Sequence, residues 1–120
     1  IYSNETFTTS VTIEPDANID TLGTDIQNEL FYVCKEAVSN ALKHSNGNKV
    51  DLSVGIDSST GDIQLSIQDN GDGMDDVNLR SSGTRNMEKR MRRIGGVFSL
   101  ENADGGGLRA RASVSHLDHK

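Results

Sequence analysis

Apolar and polar residues alternate in five short segments of the chain, and each alternating segment predicts a β-strand. These segments lie at residues 7–13, 50–56, 63–67, 98–100 and 108–114. The apolar spacing becomes helical from residue 25 to about 44, and again around Met87, Met91 and Ile94. Hairpin connections are expected at residues 57–61 and 103–107, where Asp, Ser and Gly are concentrated.

Strands that alternate with helices but are partly joined by hairpins predict an α+β fold. The expected architecture is a two-layer sandwich, in which helices cover a mixed, mostly antiparallel β-sheet. A doubly wound parallel sheet is disfavoured, because the second and third strands leave no room for a helical crossover. Residues 1–120 are expected to form a single domain with a core at 7–114 and a polar tail at 115–120.

The first predicted helix has two distinct faces at 100° per residue. Its polar stripe is expected to lie opposite its apolar face, and Gly47 is expected to end it as a left-handed cap residue. The apolar face comprises Ile26, Leu30, Cys34, Ala37, Val38, Ala41 and Leu42, and the polar stripe comprises Glu29, Glu36, Asn40, Lys43 and His44.

Composition excludes several classes of protein. The chain has 12 Lys and Arg against 18 Asp and Glu, for a net charge of −6, which argues against a nucleic-acid binder. The single cysteine, Cys34, excludes an internal disulfide framework and leaves too few thiols for a structural zinc site. No apolar run approaches the ~18 residues of a membrane span. Without a signal-peptide pattern, and starting at Ile1, the sequence is expected to be a cytoplasmic piece of a longer protein.

Two polar clusters could carry chemistry. On the first helix, Asn40 could offer a neutral oxygen to magnesium and Glu36 could accept or orient a proton, while Lys43 and His44 could meet phosphate oxygens. A solvated helix face is the ordinary alternative. In the loop at 69–73 (DNGDG), Asp69 could accept a hydrogen bond from an exocyclic amine such as that of adenine. An Asx turn is the alternative there, and the spacing fits no calcium loop.

Two glycine-containing segments complete the candidates. The segment 81–86 (SSGTRN) leads into a basic helix, whose unpaired N-terminal amides could meet phosphates, although it is not a Walker motif. A capped surface helix is the ordinary alternative. Residues 105–107 (GGG) are expected to be a hairpin turn rather than a ligand contact.

Taken in order, these segments resemble the ATP-binding catalytic domain of sensor histidine kinases, in the superfamily shared with DNA gyrase, the heat-shock chaperone ATPase and MutL. Residues 36–44 (EAVSNALKH) are similar to its N-box, 69–73 to its first glycine box, and 83–90 (GTRNMEKR) to its second. The short lid at 74–82, the run at 87–90 and the pair Gly95 and Gly96 resemble the nitrate-sensor and desaturase-sensor branch.

The resemblance implies ATP and magnesium as cofactors and assigns roles to individual residues. Asn40 is the implied magnesium ligand, Glu36 the acid-base or orienting carboxylate, and Asp69 the residue that reads adenine. Leu108 stands where the family usually has a threonine beside adenine. Further implied nucleotide contacts are Lys43, His44, Gly71, Gly73, Gly83, Thr84, Arg85 and Met87.

The implied function is donation of the γ-phosphoryl group of ATP to a histidine on a separate dimerisation domain, and from there to a response regulator. His44 lies in the N-box, and His116 and His119 lie on the tail, so none is expected to be the acceptor. The parent protein is expected to be a homodimer, and this domain to contact neither nucleic acid nor a membrane directly. An anti-sigma-factor serine kinase and a non-catalytic module with a degenerate nucleotide site remain alternatives.

Overall fold

The computed structural model describes residues 8–14, 22–44, 47–57, 59–73 and 82–115; side chains 42–44 and 82 are outside this description. The described residues form one five-stranded sheet and two helices. The elements in chain order are β1 (Thr8–Ile13), α1 (Thr24–His44), β2 (Lys49–Ile56), β3 (Ile63–Asp69), α2 (Ser82–Arg93), β4 (Val97–Asn102) and β5 (Leu108–Val114).

The strand order in the sheet is β1-β2-β3-β5-β4, and the predicted mixed, mostly antiparallel α+β fold is confirmed. β1 pairs in parallel with β2, and the other neighbours are antiparallel. The connection between β1 and β2 includes α1, because parallel neighbours need a crossover. β2 and β3 form the expected hairpin, in which Ser59 donates to Asp57 through its amide (2.9 Å) and hydroxyl (2.6 Å). These bonds lower the pKa of Asp57.

The core lies between the sheet and the two helices. Ile63, Met87, Met91, Val33, Val50 and Val114 are its largest fully buried side chains. On α1 the predicted burial of Ile26, Leu30, Ala37 and Ala41 is confirmed.

The predicted α1 face omits one core residue, Val33, which is fully buried. Cys34 and Val38 are partly buried and pack against the core, as members of the predicted face. The buried face of α1 extends to Val33 because α1 packs against α2 as well as against the sheet. As a consequence, the polar stripe borders the core instead of lying opposite it. Partial burial raises the pKa of the Cys34 thiol.

The two glycine helix stops behave differently. After α2, Gly95 has φ +76 and the Gly96 amide donates to the Met91 carbonyl (2.8 Å), so the predicted glycine stop is confirmed. After α1, Gly47 lacks a positive φ, and its predicted role as a left-handed cap is wrong. A Cβ at Gly47 would overlap Oδ1 of Asn70, so close contact with another loop is what requires glycine there.

Neither helix in the described ranges combines the length and apolar character needed to cross a bilayer.

Candidate functional site

The carboxylate of Asp69 is fixed at the end of β3 by two backbone amides. Asp69 is 4% exposed, and its Oδ1 accepts hydrogen bonds from the N–H groups of Gly71 (2.9 Å) and Leu108 (3.2 Å). Gly71 belongs to the loop after β3, and Leu108 begins β5. One carboxylate oxygen therefore joins the loop to the β4–β5 hairpin.

The β4–β5 hairpin packs backbone against backbone on the 69–73 loop. Gly107 has φ +88, and a Cβ there would overlap the carbonyl oxygen of Asp69. Gly73 has φ +80, and a Cβ there would overlap Oδ1 of Asn102 at the end of β4. The predicted turn at 105–107 is confirmed, since the Ala103 amide donates to the Gly107 carbonyl at 2.9 Å. Beyond forming this turn, Gly107 also packs against the backbone of Asp69.

A small pocket opens beside Asp69, between both helices and the sheet. It encloses about 10 Å³, room for about one water molecule, so a larger ligand has to contact its rim. Three predicted site residues, on three different elements, lie together here. The lining residues are Ala37, Asn40, Ala41, Ile67, Asp69, Met87, Leu100, Leu108 and Ala110.

The polar stripe of α1 divides between this pocket and a contact with α2. Asn40 reaches the pocket, and Glu36, one turn earlier, is partly buried. Glu29 instead accepts a hydrogen bond from Nη1 of Arg90 on α2 at 3.0 Å. The predicted contacts of Lys43 and His44 fall outside the described side chains.

The N-terminus of α2 presents the second glycine segment. Gly83 is partly buried, Thr84 is buried and Arg85 is exposed. The first amides of a helix have no partner within the helix, so this end offers donors and a positive dipole. Met87, one turn on, is fully buried in the pocket lining rather than at a surface contact.

Arg90 joins the middle of α2 to α1. Its guanidinium carbon lies 3.7 Å from the centroid of the Tyr32 ring, in cation–π geometry, and its Nη1 forms a salt bridge with Glu29. The hydrogen bond to Glu29 raises the pKa of Arg90. The helix that carries Gly83 and Met87 is thereby held against the helix that carries Asn40.

The site also contains contributors that sequence reasoning missed. The sequence pattern predicts only a turn at Gly107, and it gives no signal for the backbone N–H group of Leu108. The sequence does contain one signal for the close contact at Gly107, since residues 105–107 are three consecutive glycines and a two-residue hairpin turn needs at most two. In the described part of the chain, no group of three His, Cys, Asp or Glu residues could hold a metal ion by itself.

Known proteins share this sequence pattern. The sensor histidine kinase LiaS of Bacillus subtilis is 33% identical over 106 residues, covering 87% of this chain and 29% of LiaS. The sensor protein VraS of Staphylococcus aureus is 38% identical over 86 residues, covering 70% of this chain and 24% of VraS. This chain thus spans less than a third of either relative.

The fold is shared as well. The crystal structure of the ATP-binding domain of PrrB from Mycobacterium tuberculosis superposes with a TM-score of 0.65 and 27% identity, covering 89% of this chain and 79% of that one. Residues 25–117 match the family described as histidine kinase-, DNA gyrase B- and HSP90-like ATPases. Since that match includes α1, both glycine boxes and the β4–β5 hairpin, the chain belongs to this ATPase family.

Proposed function

We propose that this chain binds Mg-ATP and donates the γ-phosphoryl group to a histidine on a separate dimerisation domain of a sensor histidine kinase. The observation that carries the proposal is the Asp69 carboxylate, which two backbone amides hold at a pocket shared with Asn40 and Met87. The family match and the sensor-kinase relatives support the same reading over a serine kinase or a degenerate module.

Adenine would be read by Asp69. Both amide bonds end on Oδ1, so Oδ2 is the oxygen that would accept the exocyclic amine of the purine. Gly73 in the loop and Gly107 beside it lack side chains, which suits the approach of a flat ring. Gly71 would complete the contacts around the base, and resemblance assigns Met87, which is buried in the pocket lining, to the same group.

The phosphates would extend toward the N-terminus of α2. The amides near Gly83 and the exposed Arg85 provide donors and charge there. Resemblance assigns Thr84, Lys43 and His44 to the same group of contacts.

The residues present fit a magnesium ion. Mg²⁺ keeps several water ligands and relies on substrate phosphates, so one or two protein oxygens are enough. Asn40, a partly buried side chain of the pocket lining, would supply an amide oxygen, and Glu36 lies one turn away. When bound, the ion would neutralise charge between phosphate oxygens.

Phosphoryl transfer would depend mainly on positioning. A nitrogen of the acceptor imidazole attacks the γ-phosphorus, the bond to the bridging oxygen breaks, and ADP leaves. Glu36 would orient that imidazole or accept its proton. The dimerisation domain, the response regulator, a homodimeric parent and a cytoplasmic location belong to the same proposal.

Calorimetric titration with ATP, with and without magnesium, tests nucleotide binding. The Asp69→Asn variant should keep its fold, because the amide Oδ1 can still accept from Gly71 and Leu108. It should bind ATP more than tenfold less tightly, about 1.4 kcal/mol, because an NH₂ group would then face the purine amine. Asp104→Asn, in the exposed β4–β5 turn, is the matched control and should bind like wild type.

Two results would contradict the proposal. A folded wild-type chain that binds no ATP, even when joined to its dimerisation domain, excludes the nucleotide site. A collapsed melting temperature in Asp69→Asn would show that the residue serves the fold. Phosphotransfer itself is measured by adding the dimerisation domain; the chain alone should bind without autophosphorylating.

A further inference from the structure

Asn70, directly after β3, is hydrogen-bonded to Asn48 and Lys49 at the start of β2. Its Oδ1 accepts hydrogen bonds from the amides of Asn48 and Lys49, both at 3.0 Å. Its Nδ2 donates to Oδ1 of Asn48 at 2.9 Å, and its own amide donates to the Lys49 carbonyl at 3.2 Å. The pairing of β2 with β3 ends at Val50 and Asp69, so the Asn70 side chain continues the pairing beyond the last strand residues.

The loops that Asn70 joins are in near contact. Besides overlapping Oδ1 of Asn70, a Cβ at Gly47 would lie 2.7 Å from the amide nitrogen of Gly71. Gly47 follows the end of α1 by three residues, and Gly71 is the residue whose amide holds Asp69. Gly47 and the Asp69 loop are therefore in close contact.

We propose that Asn70 is a positioning residue, which fixes the phosphate-side end of α1 relative to the adenine-side loop so that one nucleotide can reach both. This inference rests on the proposed binding of Mg-ATP. Asn70 is exposed and is absent from the pocket lining, so its effect on the nucleotide is indirect.

The chemistry of the amide suits this role. Its carbonyl oxygen accepts from two backbone amides and its NH₂ group donates to the Asn48 side chain, so both polar groups of the Asn70 side chain are bonded to residues 48–49. An aspartate at position 70 would keep a carboxylate oxygen as acceptor for the backbone amides of Asn48 and Lys49. The side-chain amide of Asn48 can rotate and donate to the other carboxylate oxygen. An alanine would remove every side-chain bond.

The test compares ligands that use one or both halves of the site. Binding of adenosine and of Mg-ATP is measured for wild type, Asn70→Ala and Asn70→Asp, with Asn28→Ala, an exposed position near the start of α1, as control. Asn70→Ala should lose about tenfold in Mg-ATP affinity and less than about twofold in adenosine affinity, since only ATP spans both halves. Asn70→Asp should recover most of the Mg-ATP affinity, and Asn28→Ala should match wild type.

Hydrogen exchange provides a readout that does not need nucleotide. In Asn70→Ala the amides of Asn48 and Lys49 should exchange faster, while that of Leu108 should not change. Equal losses for adenosine and Mg-ATP, or no loss for either, overturn the positioning role while leaving the proposed function standing. A wild-type chain that binds neither ligand overturns both.

Discussion

Gly107 offers the most direct test of the contact between the β4–β5 hairpin and the Asp69 loop. Gly107→Ala places a side chain at φ +88, which costs about 1–2 kcal/mol for an L-residue. The new Cβ would also overlap the Asp69 carbonyl and displace the strand that begins with Leu108. Losing the bond from Leu108 to the buried carboxylate costs about a further 1–3 kcal/mol. We therefore expect about 2–5 kcal/mol of destabilisation.

Two other glycines separate these contributions. Gly61 has φ +79 with nothing within 4 Å of a Cβ, so Gly61→Ala measures the backbone cost alone, about 1–2 kcal/mol. Gly105 has neither a positive φ nor a neighbour within 4 Å. Gly105→Ala should therefore leave stability unchanged within about 0.5 kcal/mol, as at ordinary surface positions.

Urea denaturation of the three variants gives the free energies of unfolding directly. The expected order of destabilisation is Gly107→Ala, then Gly61→Ala, then Gly105→Ala. If Gly107→Ala and Gly61→Ala lose the same free energy, the close approach to Asp69 contributes nothing, and the description of Gly107 as packed against the backbone of Asp69 is refuted.

Two further substitutions test how the helices are held. Arg90→Leu should lower the melting temperature clearly more than Lys89→Leu, because of these two residues it is Arg90 that pairs with α1, whereas Lys89 is exposed. Equal shifts in thermal denaturation would show that the contact between Arg90 and α1 is not stabilising. Ala41→Asp should unfold the domain, because it buries a carboxylate without a partner at a position that is 4% exposed. Lys35→Asp, at an exposed position on the same helix, should keep a native circular dichroism spectrum.

The sequence was sufficient for the elements because their periodicities are unambiguous. The alternation in β3 and β5 is repeated in their burial, and the helical spacing of Met87, Met91 and Ile94 matches α2. The burial of Val33 was missed because periodicity treats a helix as packing on one partner, whereas α1 packs on both the sheet and α2.

The site was predictable at the level of segments rather than of individual contacts. Asn40, Asp69 and Met87 converge as their segments predict. Residue type does not reveal how closely two backbone segments approach. The pattern therefore assigns Gly47 to a helix cap and Gly107 to a turn, although a neighbouring segment is what excludes a Cβ at each position. The roles of the site residues toward a nucleotide stay predictions until binding is measured.

The arrangement of the hairpins has a consequence for how the domain assembles. Next to its turn, the β2–β3 hairpin pairs Ile56 with Ile63, and the β4–β5 hairpin pairs Asn102 with Leu108. Each hairpin is therefore formed by residues close in sequence. The two hairpins meet through β3 and β5, where Gln68 pairs with Arg109, 41 residues away. Long loops are slow to close, so this joining is expected to limit the folding rate.

Asp69 ends one hairpin and Leu108 begins a strand of the other, so the hydrogen bond between them exists only after the hairpins have joined. A ligand that binds beside this hydrogen bond therefore binds the assembled sheet and not either hairpin alone. Binding there stabilises the native state by mass action, and its kinetic effect falls on the unfolding rate, because the partly assembled chain has nothing for the ligand to bind.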